Sequence, residues 1–184
     1  MGWDAKPCPK PSTARALAAL ALQEFLNGWG TNPPRVLHHK AGNGVLYAKM
    51  ESTLADGTKK LWIAVVLYEW SDGELWLKYM DNSVGPCYYN CPVSWLKDVP
   101  IAGEHDRVWR AKILERQNTL KASRNITAGD RVRFDAKYGD TDLWVYSGTP
   151  GVFRSTTTGA YSRLRNWRQH FLCVEMPGKE VTHA

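Results

Sequence analysis

No stretch of the chain approaches the roughly 18 to 20 consecutive apolar residues that a bilayer-crossing helix needs, so no membrane partner is expected. The Ala- and Leu-rich stretch at residues 14–26 resembles the core of a signal peptide, but Gln23 and Glu24 interrupt it and no small-residue cleavage site follows. Met1-Gly2-Trp3 opens like a myristoylation signal, yet Lys6 stands where Ser or Thr is required. Cysteine is scarce, with four in 184 residues. Without an export signal, reduced thiols and a cytoplasmic location are the expectation. Several catalytic patterns are also missing. There is no Gly-x-Ser-x-Gly elbow, no phosphate-binding Walker loop, no dinucleotide fingerprint and no His-x-Glu, and the five histidines have no triad partner that spacing would nominate. No internal repeat or low-complexity segment occurs.

What is present describes a folded globular protein. Hydrophobic residues make up 43% and charged residues 23%, and the length suits one sizeable core or two small domains. Nine tryptophans are many for this length; most should pack, and any that remain exposed are candidate binding platforms. The net charge is +6, and the excess is uneven: residues 107–168 hold thirteen Lys and Arg against five acids. Such a surface favours a polyanion or an acidic protein face, unless it only keeps the chain in solution.

Periodicity predicts a helix over residues 13–26 capped by Ser12, with Leu17, Leu20, Ala21 and Phe25 on one face, and a stop at Asn27-Gly28. Strands are expected over residues 35–40, 45–51, 61–68 and 74–80. Turns should fall at Gly42-Asn43-Gly44, Asp56-Gly57 and Ser71-Asp72-Gly73. The strand over 45–51 alternates apolar and polar residues, whereas 61–68 reads as a central strand covered on both faces. This makes an antiparallel meander with one helix across one face. Residues 1–11 should run extended.

Pro92 then opens a short helix over 93–98, and residues 104–123 form the longest helix. Val108, Trp109, Ile113, Leu114 and Leu120 should face inward, with Arg107, Arg110, Lys112, Arg116, Lys121 and Arg124 outward. A boundary near residues 123–128 separates an α+β domain, 1–124, from a second of 125–184. There, five short strand candidates begin at Gly129-Asp130-Arg131-Val132 and end at His170-Phe171-Leu172-Cys173-Val174, at the spacing of a small barrel. That opening resembles the first strand of SH3-like barrels. The expected fold class is therefore α+β: an antiparallel β-meander packed with helices, followed by a small SH3-like β-barrel.

Two constellations carry candidate chemistry. The first is the loop Lys78-Tyr79-Met80-Asp81-Asn82-Ser83-Val84-Gly85-Pro86-Cys87-Tyr88-Tyr89-Asn90-Cys91-Pro92, which concentrates thiols, tyrosines, prolines and a glycine. Cys87 and Cys91 stand four apart, an interval that suits zinc, but no second ligand pair matches and no metal or other cofactor is expected. Deaminase and thioredoxin motifs need Cys-x-x-Cys, one residue shorter, and a reversible disulfide between Cys87 and Cys91 stays open beside free thiols. Tyr79, Asp81, Cys87, Tyr88 and Cys91 remain the candidates for a site on this loop. The carboxylate pairs Glu104 with Asp106 and Asp140 with Asp142 lie where a helix start or a turn would want them anyway.

The second constellation is arginine with aromatics. Tyr161, Arg163, Arg165, Trp167, Arg168 and His170 alternate near the end of the chain, and Arg131, Arg133 and Arg154 should lie on nearby strands. On a strand, the period of two puts Tyr161, Arg163 and Arg165 on one face, suited to phosphate contacts beside a stacking ring. The bland alternative is that these arginines pair with Asp130, Asp135 and Asp140.

The Met1-Gly2-Trp3 start, the loop over 78–92 and the basic barrel-like tail together resemble a family of small uncharacterised proteins carried by bacteriophages, prophages and plasmids. Tyr79 and Asn82 stand where that family's loop has acids. The resemblance implies an accessory protein of a mobile element. The expected function is then a non-catalytic one: binding nucleic acid or a host protein or nucleoprotein complex, as an anti-CRISPR-like counter-defence inhibitor would. An enzyme with its site on the loop of residues 79–91 is one alternative, and a structural protein of a phage particle is another; oligomeric state is left open.

Overall fold

The structure, a computed structural model, describes residues 2–138 and 143–175. These residues form an α+β fold with two five-stranded antiparallel sheets, and the chain divides into two compact units, Met1–Leu114 and Glu115–Ala184. Among the described residues no helix is long and apolar enough to cross a membrane.

In the first unit the strands are β1 (Asp4–Pro7), β2 (Arg35–Gly42), β3 (Val45–Thr53), β4 (Lys59–Ser71) and β5 (Glu74–Asp81), in the order β1-β5-β4-β3-β2. Asn43-Gly44 and Asp72-Gly73 both take positive φ at their two central residues, as two-residue hairpins joining twisted strands require. The amino-terminal segment is extended as expected but not free: β1 forms the sheet edge and pairs with β5, from Asp4 opposite Leu77 to Pro7 opposite Glu74. An edge tolerates Pro7, whose missing N–H breaks no interior ladder.

Helix α1 (Ala14–Asn27) is capped by Thr13 rather than Ser12; the Thr13 hydroxyl accepts from the Ala16 N–H at 3.1 Å. Its apolar stripe, with Ala18, Ala21 and Phe25 buried, covers Leu46, Ala48, Met50, Ala64, Val66, Leu75 and Leu77 on one sheet face. The opposite face is covered as well, which departs from the one-helix expectation. Val45, Tyr47, Ile63, Val65 and Leu67 pack there with Cys91 from the loop before α2 (Val93–Leu96), Val99 from the segment after it, and Trp109 and Ile113 from α3 (Glu104–Ala122), with Val93, Trp95 and Leu96 of α2 against them. For that reason β3 is buried from Val45 to Met50 instead of half-exposed, and even Lys49 is held inside by Asp98 at 2.6 Å.

Helix α3 corrects its predicted faces. Trp109 and Ile113 are buried, but Val108 and Leu114 are exposed, while the presumed outward Arg110 is buried against Asp106 at 2.8 Å. Asp106 and Arg110 lie one helical turn apart, so the acid selects the buried arginine from the basic series.

The second unit contains β6 (Arg131–Phe134), β7 (Leu143–Tyr146), β8 (Val152–Ser155), β9 (Tyr161–Arg163), a single-turn helix α4 (Trp167–His170) and β10 (Phe171–Glu175), with sheet order β10-β6-β7-β8-β9. Its core is aromatic. Phe134 meets Phe153 edge-on at 5.0 Å and lies within 6.5 Å of Tyr138, Trp144, Trp167 and Phe171. The five strands agree with the sequence expectation; no β9–β10 pairing closes them into a barrel among the described residues.

Candidate functional site

The face of the second sheet opposite its core is where the arginines gather. Residues directly opposite in antiparallel pairs share a face, and the register strings Glu175, Arg131, Val145, Arg154 and Tyr161 across five strands in one row. Arg163, opposite Val152 and two positions from Tyr161, shares that face. Arg131, Arg154 and Arg163 are exposed, and Tyr161 is 67% exposed beside Arg154. None of the three arginines has a carboxylate in ion-pair range among the described residues.

The other tail candidates do not add free cations or rings to that face. Arg133, two positions from Arg131, shares it but is neutralised by Glu175. Arg165 follows the end of β9, so the strand period does not apply to it. Trp167 is buried in the core and cannot stack on a ligand; Arg168 lies over its ring at 4.6 Å. Of the acids expected to neutralise the tail, Asp130 accepts from the Thr127 N–H at 2.7 Å and Asp135 takes His170 Nδ1 at 2.8 Å. Asp140 and Asp142 lie outside the described residues.

The loop after β5 is built mainly as a brace. Asp81 caps a 3-10 turn (Asn82–Val84), accepting from the Ser83 N–H at 2.8 Å. The Tyr88 carbonyl takes the Trp109 indole N–H at 2.9 Å, and the Asn90 carbonyl takes Lys40 Nζ at 3.0 Å. The Asn90 N–H donates to the Tyr47 hydroxyl, whose pKa burial pushes up to about 12. Cys91 is fully buried, and burial pushes its thiol up to about 12, far from the thiolate a nucleophile or metal ligand requires. Cys87 is exposed, both cysteines are free, and no cluster of three or more His, Cys, Asp or Glu is placed for a metal among the described residues.

Two of the five candidates on that loop do reach a cavity. A cleft of about 950 Å³ opens in the first unit, where the β3–β4 hairpin and the end of β5 meet the carboxyl end of α1, the chain leading into β2 and residues 100–102. Tyr79 and Asp81 line it; Cys87, Tyr88 and Cys91 do not. Its wall is aromatic: Phe25 meets Tyr79 at 5.3 Å, and Trp29 meets Trp62 at 5.8 Å with the rings tilted by 45°. Arg35, Lys59 and Lys60 supply positive charge, with Lys59 engaged by Glu51 at 3.0 Å. Burial, followed by the Asp4 and Glu24 carboxylates, pushes the Tyr79 hydroxyl up to about 12, so it stays protonated. Spacing alone gave little warning of this cleft, because its lining comes from segments scattered between residues 25 and 102. The available signal was Trp29 in the turn Asn27-Gly28-Trp29-Gly30, a large ring where a helix stops and no core is expected. No protein-family model, curated protein or solved structure matches the chain.

Proposed function

We propose that this protein is a non-catalytic binding protein whose second unit engages nucleic acid, or the nucleic-acid-bearing face of a host nucleoprotein complex. The observation that carries this is the shared face of Arg131, Arg154 and Arg163 with the exposed ring of Tyr161. Guanidinium groups without carboxylate partners are suited to phosphate oxygens, and a phenol ring beside them offers a stacking surface that does not depend on sequence. The net charge of +6 favours the same class of partner and argues against mimicry of DNA by an acidic surface.

The fold reading extends in the same direction. The last strand, β10, returns beside the first, β6, and a single helical turn precedes it. That strand order supports reading the second unit as an SH3-like barrel. The resemblance of the 78–92 loop to proteins of mobile elements supplies the setting: an accessory protein of a phage or plasmid acting in the host cytoplasm against a defence complex such as CRISPR. A pull-down from bacterial lysate, with and without nuclease, tests the proposal. Nuclease-sensitive recovery of host protein or nucleic acid is expected; recovery of nothing, or of a partner indifferent both to nuclease and to loss of Arg154 and Arg163, contradicts it.

A further inference from the structure

We infer that the cleft of the first unit is a nucleotide site, with a planar base resting against Trp29 and its phosphate held by Arg35 and Lys60. This goes beyond the arginine face, which belongs to the other unit. The volume, about 950 Å³, is ample for a ligand of nucleotide size. Trp29 is 47% exposed although it already touches Phe25 edge-on at 6.4 Å and Trp62 at 5.8 Å. A tryptophan left open on one side while fixed on the other by two rings is a preorganised stacking platform.

The charge around the platform is positive after pairing is accounted for. Lys59 is held by Glu51, and Asp81, whose Oδ1 accepts from the Ser83 N–H, keeps its negative charge, so three cations, Arg35, Lys59 and Lys60, stand against two carboxylates in the lining. Arg35 and Lys60 are exposed and have no carboxylate partner among the described residues. A purely apolar ligand would leave those cations unused, whereas a ring bearing a phosphate uses both features.

Ser52 and Tyr79 are two of the hydroxyl-bearing residues in the lining. Ser52 Oγ accepts the Trp62 indole N–H at 2.8 Å, which leaves its own hydrogen free to donate. Tyr79 remains protonated and its hydroxyl makes no protein hydrogen bond among the described residues. Asn82, by contrast, spends its amide on the Ile63 N–H and on Asp106, so it braces the wall and does not read the ligand.

The ligand chemistry has two sources, a free nucleotide or one residue of a single strand, and calorimetry on the full chain distinguishes them. The chain would carry Arg154→Ala and Arg163→Ala, which removes the arginine face. The titrants are the four nucleoside monophosphates, a nucleoside, inorganic phosphate and a four-residue single-stranded oligonucleotide. The expected result is saturation by at least one monophosphate or by the oligonucleotide, at least tenfold weaker binding of the nucleoside, and none of phosphate alone. Saturation by a monophosphate assigns the free nucleotide; saturation by the oligonucleotide alone assigns the strand. Trp29→Ala should weaken binding at least tenfold, and so should Lys60→Glu, a surface change that leaves the thermal midpoint in place. Failure of all four monophosphates and the oligonucleotide to saturate, or affinity unchanged in both variants, overturns the site and leaves the arginine-face proposal standing.

Discussion

Asn82 Nδ2 donates to Asp106 Oδ2 at 2.7 Å, while the same amide accepts the Ile63 N–H at 2.9 Å, so one side chain ties strand β4 to the first turn of α3. Asp106 also receives the Ala102 N–H at 2.9 Å and Arg110 Nε at 2.8 Å; Arg110 in turn reaches the Leu96 and Pro100 carbonyls at 2.6 and 3.1 Å. Buried and fully bonded, this network sets the loop after β5 against the helix. Removing one member leaves a buried charge unpaired. Asp106→Ala or Arg110→Ala should each lower stability by about 3–5 kcal/mol, measured by urea unfolding.

Gly85 sits beside that network at φ +61, and a Cβ there would lie 2.7 Å from the His105 carbonyl oxygen. Both the left-handed backbone and the close approach to α3 oppose any side chain. Gly85→Ala should cost about 1–3 kcal/mol on the same unfolding curve. A neutral effect would mean that the loop is not held against α3.

Acid should undo the same anchor. Burial alone would raise the Asp106 carboxyl, but hydrogen bonds from Arg110, the Ala102 N–H and Asn82 prevail and hold it below its usual 3.8. A depressed carboxyl contributes stability above the unfolded value and loses it as pH falls through the folded one. Wild-type stability should therefore drop as pH falls below 3.8, and Asp106→Asn, though weaker at neutral pH, should drop less across that interval. Urea midpoints at neutral pH and below the usual carboxylate value provide the comparison.

Thiol chemistry separates the two loop cysteines. Cys87 is exposed, whereas Cys91 is buried with its thiol pushed up to about 12. A disulfide-exchange reagent at mildly alkaline pH should label Cys87 and the exposed Cys173 rapidly, and Cys91 only on unfolding. Rapid labelling of Cys91, read by peptide mapping, would return the loop to consideration as a reactive site.

Strands were legible where local pattern and turn chemistry agree, as at 61–68 between the Asp56-Gly57 and Ser71-Asp72-Gly73 turns. The pairing of Asp4 with Leu77 was not, because it joins segments far apart in sequence and the prolines around it signal only extended chain. Arg110 looked like one more solvated cation in a basic row, although Asp106 one turn earlier marked its partner. Arg131, Arg154 and Tyr161 were named from their strands, but only the register puts them in one row, and only burial removes Trp167 from the set. The cleft is a long-range product of at least five segments and left almost no local trace.

The most direct test of the central claim is the salt dependence of affinity for a short single-stranded nucleic acid, wild type against Arg154→Ala with Arg163→Ala. Counterion release predicts that affinity falls linearly in log–log form as salt rises. Removing two phosphate-contacting arginines should weaken binding and shallow the slope by about 1 for each. An unaltered slope and affinity in the double variant, with its thermal midpoint preserved, would contradict the arginine face as the site of contact.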